Sequence, residues 1–495
     1  MWRFRVRRTP DAPFVLDVPG HAHTYRELAD ASASLVGAMA EQGLRPGDRV
    51  GAYFSNEPAW VVASVAAWSF GCSIAACGRL LSRREAAALF ERVGATLVVT
   101  TDPEHPRETT GPPVMLVDRS GALRDGDHSG APHPRPGSLS ADAEAVVVFS
   151  SGTTGAPKAV AHTHAHLHES VRQIDAAYGG RGFRASVAPA EVAPGAVFTP
   201  FGHLGCYFSV GFRLLIGRPV VLVPKFSVDD VETLVGRYRY DALQLAPAMI
   251  HMLAHAERDV PLGSMRYVTS GTAPLAASTR SLFEARYGVP VLQAYGLTEV
   301  GTVSQERYED VMAGRRPPGS VGRLARGVAV RIVGRTGLDL EEGETGEILV
   351  RTPTMGRDAL ADEPLDASGW FRTGDEGMLA DGLLHVTGRV KDLVIVGGLN
   401  VQPAEVEEQL RLSALVEDAV VVGVQDERLG EVPVAGIVWA AGRREHELWQ
   451  ELRETMAHYK VPRRLVPIDA VPLTARGKID RVAARELVAR IEAED

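Results

Sequence analysis

Residues 146–158 read VVVFSSGTTGAPK, and this stretch predicts a buried strand followed by a ligand-binding loop. The four leading apolar residues, Val146–Phe149, are typical of such a strand. In the loop, glycines let backbone N–H groups approach an anion, while hydroxyl groups and Lys158 add donors and positive charge. The loop residues concerned are Ser151, Gly152, Thr153, Thr154 and Gly155. A polyphosphate loop is therefore favoured, although the spacing is not that of the Walker motif and an ordinary surface turn has a similar composition.

Length and composition restrict the class of protein. The chain has 495 residues, 45% hydrophobic and 23% charged, with a formal net charge of −9. These values predict a globular protein of two or more domains and argue against a general nucleic-acid binder. Three cysteines in no paired pattern, and a basic N-terminus without an apolar segment after it, favour the cytoplasm. The uncharged stretch Pro58–Gly78 predicts a buried helix and a strand, because it is too rich in Ala, Ser and Gly for a membrane span.

The order of the predicted elements indicates an α/β protein. Helical patterns alternate with short apolar runs over residues 24–100, as in parallel α/β folds, and residues 101–144 are mostly loop. Strands separated by glycine-rich turns over residues 320–388 predict a β-rich subdomain. We therefore predict a large N-terminal domain of stacked α/β subdomains plus this β-rich subdomain at 1–390, and a small α+β domain at 391–495.

A cluster of histidines follows the loop. The residues His162–Ala177 predict a helix, on which His162 with His166 and His164 with His168 would form two i, i+4 pairs. Two ligands rarely complete a metal site, so we do not expect one here.

Two motifs lie near the middle of the chain. The first, SGTAPL, follows a predicted strand and places Gly271, Thr272 and Ala273 where a ligand can approach a strand end, although a plain turn fits equally. The second, QAYGLTEVG, occupies residues 293–301 and is rich in groups that suit a nucleotide.

In this second motif, Tyr295 offers an aromatic face to a purine, and Gly296 permits close packing beside that face. Thr298 and Glu299 supply hard oxygen atoms of the kind that Mg²⁺ prefers. A Thr-Glu pair is also common at the start of a helix, and that alternative stays open on the residues alone.

Polar residues in the last third of the chain complete the set. Asp375, in GWFRTGD, suits a pair of sugar hydroxyls, and Arg389, in GRVKDLVIVGGLNVQPAEVE, suits ribose or phosphate. In PLTARGKIDR, Lys478 follows a glycine near the C-terminus, where a lysine is usually only solvated.

These six motifs, in this order and over nearly the whole chain, resemble those of the adenylate-forming superfamily of acyl- and aryl-CoA synthetases, peptide-synthetase adenylation domains and luciferases. Ala159 replaces the glycine that usually follows the loop lysine. The resemblance implies ATP, Mg²⁺ and coenzyme A as cofactors. It implies that the 151–155 loop and Lys158 bind phosphate, that residues 271–273 and Tyr295–Gly296 contact adenine, and that Asp375 and Arg389 bind ribose. It also places Thr298 and Glu299 at the Mg²⁺ ion.

The resemblance further implies that the C-terminal domain is mobile. Lys391 matches the hinge, and Lys478 matches the lysine that stabilises charge during adenylate formation. Gly397 and Gly398 match the loop that lines a pantetheine tunnel after the domain has rotated. His203, in PFGHLG, matches a position that closes over the acyl carboxylate, with a core histidine as the alternative.

The implied function is that of an ATP-dependent acyl-CoA synthetase. A carboxylate attacks the α-phosphate of ATP, pyrophosphate leaves, and the thiol of coenzyme A then displaces AMP. Two alternatives are an acyl-AMP ligase that loads a carrier-protein phosphopantetheine and a non-catalytic nucleotide-binding protein. By family position, a mainly apolar pocket favours a hydrophobic monocarboxylic acid; it is formed by Phe201, His203, Leu204, Phe208, Thr269 and Val300. We expect no nucleic-acid partner and leave the oligomeric state open.

Overall fold

The computed structural model describes residues 1–105, 111–124, 140–150, 157–177, 193–358, 369–396, 399–426, 429–440, 442, 444–474 and 478–494. The predicted phosphate-loop residues 151–155 and the predicted tunnel glycines, Gly397 and Gly398, lie outside these ranges.

Helices occur along the whole described chain. They are α1 (Trp2–Arg8), α2 (Tyr25–Glu41), α3 (Pro58–Phe70), α4 (Arg83–Arg92), α5 (His164–Ala177), α6 (Leu204–Ile216), α7 (Val228–Arg237), α8 (Pro247–Ala254), α9 (Ala277–Tyr287), α10 (Tyr308–Met312), α11 (Pro403–Arg411), α12 (Glu445–Thr455) and α13 (Arg481–Glu494), and a 3₁₀ turn spans Val390–Asp392.

The strands of the N-terminal part are β1 (Pro13–Leu16), β2 (Ala22–Thr24), β3 (Arg49–Phe54), β4 (Ser73–Gly78), β5 (Ala95–Thr100), β6 (Val114–Leu116), β7 (Glu144–Ser150), β8 (Lys158–Thr163), β9 (Gly195–Val197), β10 (Val220–Leu222), β11 (Ala242–Gln244), β12 (Tyr267–Ser270), β13 (Val291–Leu297), β14 (Gly301–Gln305) and β15 (Arg323–Leu324). The later strands are β16 (Ala329–Val333), β17 (Gly346–Arg351), β18 (Arg357–Asp358), β19 (Phe371–Ala380), β20 (Leu383–Arg389), β21 (Val394–Val396), β22 (Leu399–Val401), β23 (Val416–Asp426), β24 (Gly430–Trp439) and β25 (Arg464–Pro467).

Within the described ranges these strands form five sheets. A seven-stranded sheet has the order β18-β8-β7-β4-β3-β5-β6, with parallel pairing from β7 through β6, and a second sheet has the order β11-β12-β13-β14-β15. A third sheet, β2-β1-β10-β9, packs with the first around one hydrophobic core. The antiparallel sheet β16-β17-β19-β20 is the predicted β-rich subdomain. The fifth sheet, β22-β21-β24-β23 with β25 beside β24, belongs to the small C-terminal domain. The predicted α/β class, with a large N-terminal and a small C-terminal domain, is confirmed.

Local sequence explains several of these elements. Helix α2 begins after Thr24, whose hydroxyl accepts a hydrogen bond from the backbone of Glu27, while the Glu27 carboxylate accepts one from the backbone of Thr24. This reciprocal capping satisfies two backbone donors at the start of the helix. Helix α3 is buried on nearly all sides and ends at Gly71, where φ is +91°. The prediction of a buried helix followed by a strand at Pro58–Gly78 is therefore confirmed. Among the described residues, no helix is both long and apolar enough to cross a bilayer.

The prediction of one helix over His162–Ala177 is wrong at its start. His162 is the fifth residue of strand β8, where it pairs with Val146 of β7, and the helix α5 begins only at His164. Thr163 caps that helix, because its hydroxyl accepts a hydrogen bond from the backbone of His166 at 3.2 Å. The histidines at alternate positions indicate i, i+4 pairs on a helix, but the residues Ala159–Thr163 are all buried and extended, so His162 belongs to the strand.

The C-terminal domain has a hydrophobic core on each face of its sheet. Two polar contacts attach it to the N-terminal domain. The Glu408 carboxylate of α11 accepts hydrogen bonds from the backbone N–H groups of Ala277 and Ser278, at 3.2 and 2.9 Å, at the start of α9. The Gln402 amide donates to the Glu376 carboxylate at 2.5 Å. The first contact uses exposed or half-buried groups, whereas Gln402 in the second is buried.

Candidate active site

Asp375 is the centre of the first group of predicted site residues. Strands β19 and β20 place it directly opposite Arg389, and the Arg389 Nε donates to Asp375 Oδ1 at 2.7 Å. The Tyr295 hydroxyl donates to the other carboxylate oxygen, Oδ2, at 2.6 Å. Asp375 is only 7% exposed, and burial together with the adjacent carboxylate raises the pKa of Tyr295 well above its usual value. The sequence predicted that Tyr295 offers an aromatic face. The structure adds that its hydroxyl group ties the ring to Asp375, the residue predicted to bind ribose.

The second group is the tip of the hairpin formed by β13 and β14. Leu297 pairs with Gly301, so Thr298, Glu299 and Val300 form a three-residue turn, and φ of Gly301 is +73°. This is a common hairpin geometry in which glycine takes the left-handed position. The prediction of a helix cap as the alternative role for the Thr-Glu pair is therefore wrong. Gly296 leaves room for strand β14, since a Cβ there would lie 2.3 Å from the Gly301 carbonyl oxygen.

The carbonyl groups of this tip are held by three donors. The His162 Nε2 donates to the Thr298 oxygen at 2.8 Å, the Gly356 backbone N–H to the Glu299 oxygen at 2.7 Å, and the Thr354 hydroxyl to the Val300 oxygen at 2.7 Å. His162 is 1% exposed and Thr354 is 0% exposed. Burial lowers the pKa of His162 to about 4, so its ring is neutral near pH 7 and carries one N–H.

The segment 271–273 follows strand β12, as predicted. Gly271 lies close to β13, because a Cβ there would be 3.1 Å from the Ala294 carbonyl oxygen. Thr272 has φ of +74°, a left-handed conformation that a β-branched residue rarely adopts. Thr272 is exposed and Ala273 is half-buried. Such strain concentrates at ligand sites, which agrees with the predicted role of this segment.

The two lysines predicted for the loop and the hinge lie near each other. Lys158 begins β8, and Lys391 lies in the 3₁₀ turn directly after β20. Burial lowers the pKa of Lys391, and the positive charges of Arg389 and Lys158 lower it further, while the carboxylates of Asp392 and Asp375 raise it. The structure therefore brings Lys158, Lys391 and the Asp375 group into one electrostatic neighbourhood.

Lys478 lies at an exposed hairpin of the C-terminal domain. Leu473 and Ile479 form a β-bridge, and the Thr474 backbone N–H donates to the Lys478 carbonyl oxygen at 2.7 Å. Helix α13 begins two residues after Ile479 with Arg481. The Arg481 guanidinium donates to the buried Glu407 carboxylate at 2.5 Å and lies 3.3 Å from Asp392 of the 3₁₀ turn. The lysine hairpin, α11 and the predicted hinge are thus linked through one side chain.

His203 precedes helix α6 and is half-buried. The loop before it is held by Asn56, whose side chain accepts from the Phe201 backbone at 2.7 Å and donates to the Thr199 carbonyl oxygen at 2.9 Å. Gly202, with φ of +96°, lets the loop lie directly against β4, since a Cβ there would be 2.7 Å from the Gly78 nitrogen.

The six residues predicted for the acyl pocket do not share one cluster. Phe201, Leu204 and Phe208 belong to the core beneath the largest sheet, while Val300 is 0% exposed in the core of the β-rich subdomain. In this structure Val300 therefore supports the hairpin tip rather than lining an open pocket. Thr269 is the third residue of β12, two positions before Gly271, and is 7% exposed.

Sequence comparisons identify the family of the chain. The chain matches the AMP-binding enzyme family over residues 2–358 and the AMP-binding enzyme C-terminal domain over residues 405–478. It is 35% identical over 378 residues to indoleacetate–CoA ligase of Aromatoleum aromaticum, covering 74% of this chain and 71% of that protein. It is 32% identical over 492 residues to feruloyl-CoA synthase of an Amycolatopsis species, covering 96% of both.

Structural comparison gives the same result. The o-succinylbenzoate CoA synthetase of Bacillus subtilis, solved with its acyl-adenylate intermediate, superimposes with a TM-score of 0.85 at 26% identity over 98% of this chain and 97% of that one. The chain belongs to the AMP-binding enzyme family. The predicted resemblance to adenylate-forming acyl- and aryl-CoA ligases is confirmed, as is the prediction of an AMP-forming acid–thiol ligase. ATP, Mg²⁺ and coenzyme A, the predicted cofactors, are those that CoA ligases of this family use.

Proposed function

We propose that this protein activates a hydrophobic monocarboxylic acid with ATP and transfers the acyl group to coenzyme A, releasing AMP and pyrophosphate. The observation that carries the assignment of residues is the Asp375 group. A single stretch of β13 and its turn supplies both Tyr295, bonded to Asp375, and the tip residues Thr298 and Glu299. Tyr295, which bonds to the proposed ribose-binding carboxylate of Asp375, and the proposed metal-binding carboxylate of Glu299 therefore lie on one hairpin, while Asp375 itself lies on β19.

Asp375 is prepared for a sugar by its neighbours. A carboxylate has about four lone-pair positions, and Tyr295 and Arg389 use one on each oxygen. The remaining positions can accept the two ribose hydroxyls without any movement of the side chain. Tyr295 stays neutral because burial, which disfavours its charged form, raises its pKa well above the usual value.

Glu299 and Thr298 fit Mg²⁺ by the chemistry of their donors. A carboxylate and a hydroxyl oxygen on adjacent residues suit a hard cation that also keeps phosphate oxygens and waters as ligands. When bound, the ion would neutralise charge on the phosphates of ATP. The anchored carbonyl groups of the tip keep the two side chains on a fixed backbone.

Positive charge for the first half-reaction would come from two lysines. Attack of a carboxylate on the α-phosphate brings two anions together, so catalysis is mainly electrostatic and positional. We assign Lys158 to the phosphates and Lys478 to the charge that develops during attack. Lys478 belongs to the C-terminal domain, which we place after residue 390. Rotation about Lys391 would exchange Lys478 for Gly397 and Gly398 before the thiol attacks.

The proposal of a hydrophobic acid rests on two supports. Leu204 and Phe208, on α6 directly after His203, are apolar and buried. The relatives named above include ligases of indoleacetate and of ferulate, both aromatic acids.

The three buried cysteine thiols suit the reducing cytoplasm, which we propose as the location of this protein.

The decisive experiment measures pyrophosphate release across a panel of aromatic, alicyclic and fatty acids, each with and without coenzyme A. We expect release to depend on the acid, and acyl-CoA and AMP to form in equal amounts when coenzyme A is present. If acid-dependent pyrophosphate release continues only when a phosphopantetheinylated carrier protein is present, that carrier protein would replace coenzyme A as the thiol acceptor in the proposal. The absence of any acid-dependent release would reject the activity.

A further inference from the structure

Three buried donors that lie outside every predicted motif hold the hairpin tip, and together we call them the tip anchor: the His162 ring, the Thr354 hydroxyl and the Gly356 backbone N–H. They bond to three consecutive carbonyl groups, those of Thr298, Glu299 and Val300, at 2.7–2.8 Å. A turn of three residues normally exposes its carbonyl groups to water. Here each has a protein donor, so the tip has one backbone conformation.

The hydrogen bond from His162 acts on the peptide unit that joins Thr298 to Glu299. The Thr298 carbonyl, the intervening amide and the Glu299 Cα belong to one planar peptide unit. A donor that fixes the Thr298 oxygen therefore fixes the plane from which the Glu299 side chain leaves. The Gly356 bond fixes the next peptide plane, on the other side of Glu299.

The His162 ring has little freedom to leave this position. A Cβ on Gly356 would lie 3.0 Å from His162 Cε1 and Nε2 and 2.6 Å from Val160 Cγ1. The ring is thus covered by the backbone of Gly356, and its own strand β8 is paired on both sides, with β7 and β18. Only a side chain with a donor at the position of Nε2 reaches the Thr298 oxygen from here.

We propose that His162 is a positioning residue that directs the Glu299 carboxylate, and that it controls the metal-dependent part of ATP binding. This proposal rests on the role of Glu299 given under the proposed function. His162 touches neither nucleotide nor metal, and acts through the Thr298–Glu299 peptide.

The test measures binding rather than turnover. ATP is titrated calorimetrically into the full-length protein with excess Mg²⁺ and again with EDTA, for the wild type, His162→Leu and His162→Gln. Leucine removes the donor, whereas the glutamine Nε2 preserves it. We expect His162→Leu to weaken binding roughly tenfold with Mg²⁺, the equivalent of one lost hydrogen bond, and less than about threefold with EDTA. His162→Gln should restore most of the difference, and the exposed His168→Leu should match the wild type.

Two results would overturn the proposal. The first is wild-type Mg²⁺ dependence in His162→Leu. The second is equal weakening with Mg²⁺ and with EDTA together with a lower melting temperature, which would indicate a purely structural role. If His162→Leu does not fold, Thr354→Val removes another donor of the tip anchor with little change in volume and is read by the same criteria. Glu299→Gln is titrated in parallel: unchanged Mg²⁺ dependence in that variant would reject the role of Glu299 itself, independently of His162.

Discussion

The two halves of the candidate site are built differently. In the N-terminal half, Asp375 is 7% exposed and engaged by two side chains, and the hairpin tip is held at three carbonyl groups. In the C-terminal half, Lys478 lies on an exposed hairpin. Buried polar groups are costly unless every one is bonded, so the first half has a single arrangement. The second half contacts the first through the side chains of Glu408 and Gln402.

This difference suggests a division of labour. Under the proposed function, the groups assigned to ribose and metal, which both half-reactions need, lie in the N-terminal half, which we call the rigid half. Lys478, assigned to one step only, lies in the C-terminal domain, which contacts the rigid half through groups such as Glu408. The C-terminal domain itself is internally tied, because Arg481 links the lysine hairpin to Glu407 and Asp392. If the C-terminal domain rotates as proposed, substitutions in the rigid half should impair both steps, and substitutions in the C-terminal domain should separate them.

The largest effect is expected for Lys478→Ala. Removal of one preorganised charge from a site of developing charge costs about 10²–10³ in rate. We expect acid-dependent ATP–pyrophosphate exchange to fall by this factor, while thioester formation from supplied acyl-adenylate stays within a fewfold of the wild type. Stopped assays of each half-reaction on one preparation provide the measurement. Equal losses in both steps would contradict the division between the two halves.

The next effect is expected for Glu299→Gln, in the rigid half. A neutral amide is a poor ligand for a hard cation, so adenylate formation should fall by about 10- to 100-fold and the Mg²⁺ requirement should rise. EDTA should abolish adenylate formation by the wild type. His164→Ala combined with His168→Ala serves as the control and should keep Mg²⁺-dependent activity. If adenylate formation persists in EDTA, no metal ion acts in this half of the site and the assignment of Glu299 is wrong.

The sequence predicted the order of the elements well, because helices and strands follow local patterns of apolar residues. Gly271 follows a strand, as the sequence indicated, whereas Asp375 lies inside strand β19. The bond between Tyr295 and Asp375 could not be predicted, since it joins residues 80 positions apart. It depends on how two separate sheets meet, which no local pattern records.

His162 shows the same limit. Four alternate histidines favoured a helix, and the strand was missed because every residue of Ala159–Thr163 is buried, which leaves no alternation of apolar and polar positions. One signal was present in Thr163, a preferred N-cap residue directly before the helix start at His164. The partner of His162, the Thr298 carbonyl, is 136 positions away and is a backbone atom, so no residue type marks it.

A smaller effect is expected for Glu408→Ala, at the contact between the halves. The carboxylate bonds to two N–H groups at the start of α9, an interaction of about 0.5–2 kcal/mol. The proposed rotation of the C-terminal domain would break this interaction. We therefore expect the ratio of exchange rate to thioester-transfer rate to change roughly two- to tenfold, with a melting temperature close to that of the wild type. An unchanged ratio would mean that this contact does not bias the domain arrangement.

The smallest effect is expected for Thr272→Gly, which tests whether the rigid half stores strain. A β-branched residue at φ of +74° costs about 1–3 kcal/mol, whereas glycine adopts this conformation freely but adds about 1 kcal/mol of unfolded-chain entropy. The balance predicts a gain of up to about 2 kcal/mol in the free energy of unfolding. Affinity for ATP should fall by up to about threefold, because a glycine no longer holds the strand end in one conformation.

The matched control is Asp381→Gly, since Asp381 is the other non-glycine residue with positive φ, at +51°, among the described residues. It lies in the turn between β19 and β20, and aspartate tolerates this conformation better than threonine does. Asp381→Gly should therefore give a smaller gain in stability and leave ATP affinity unchanged. Calorimetric titration and denaturant unfolding of both variants measure the two quantities. A loss of stability in Thr272→Gly would show that contacts of the threonine side chain outweigh its backbone strain, and the rigid half would then owe its conformation to packing rather than to tolerated strain.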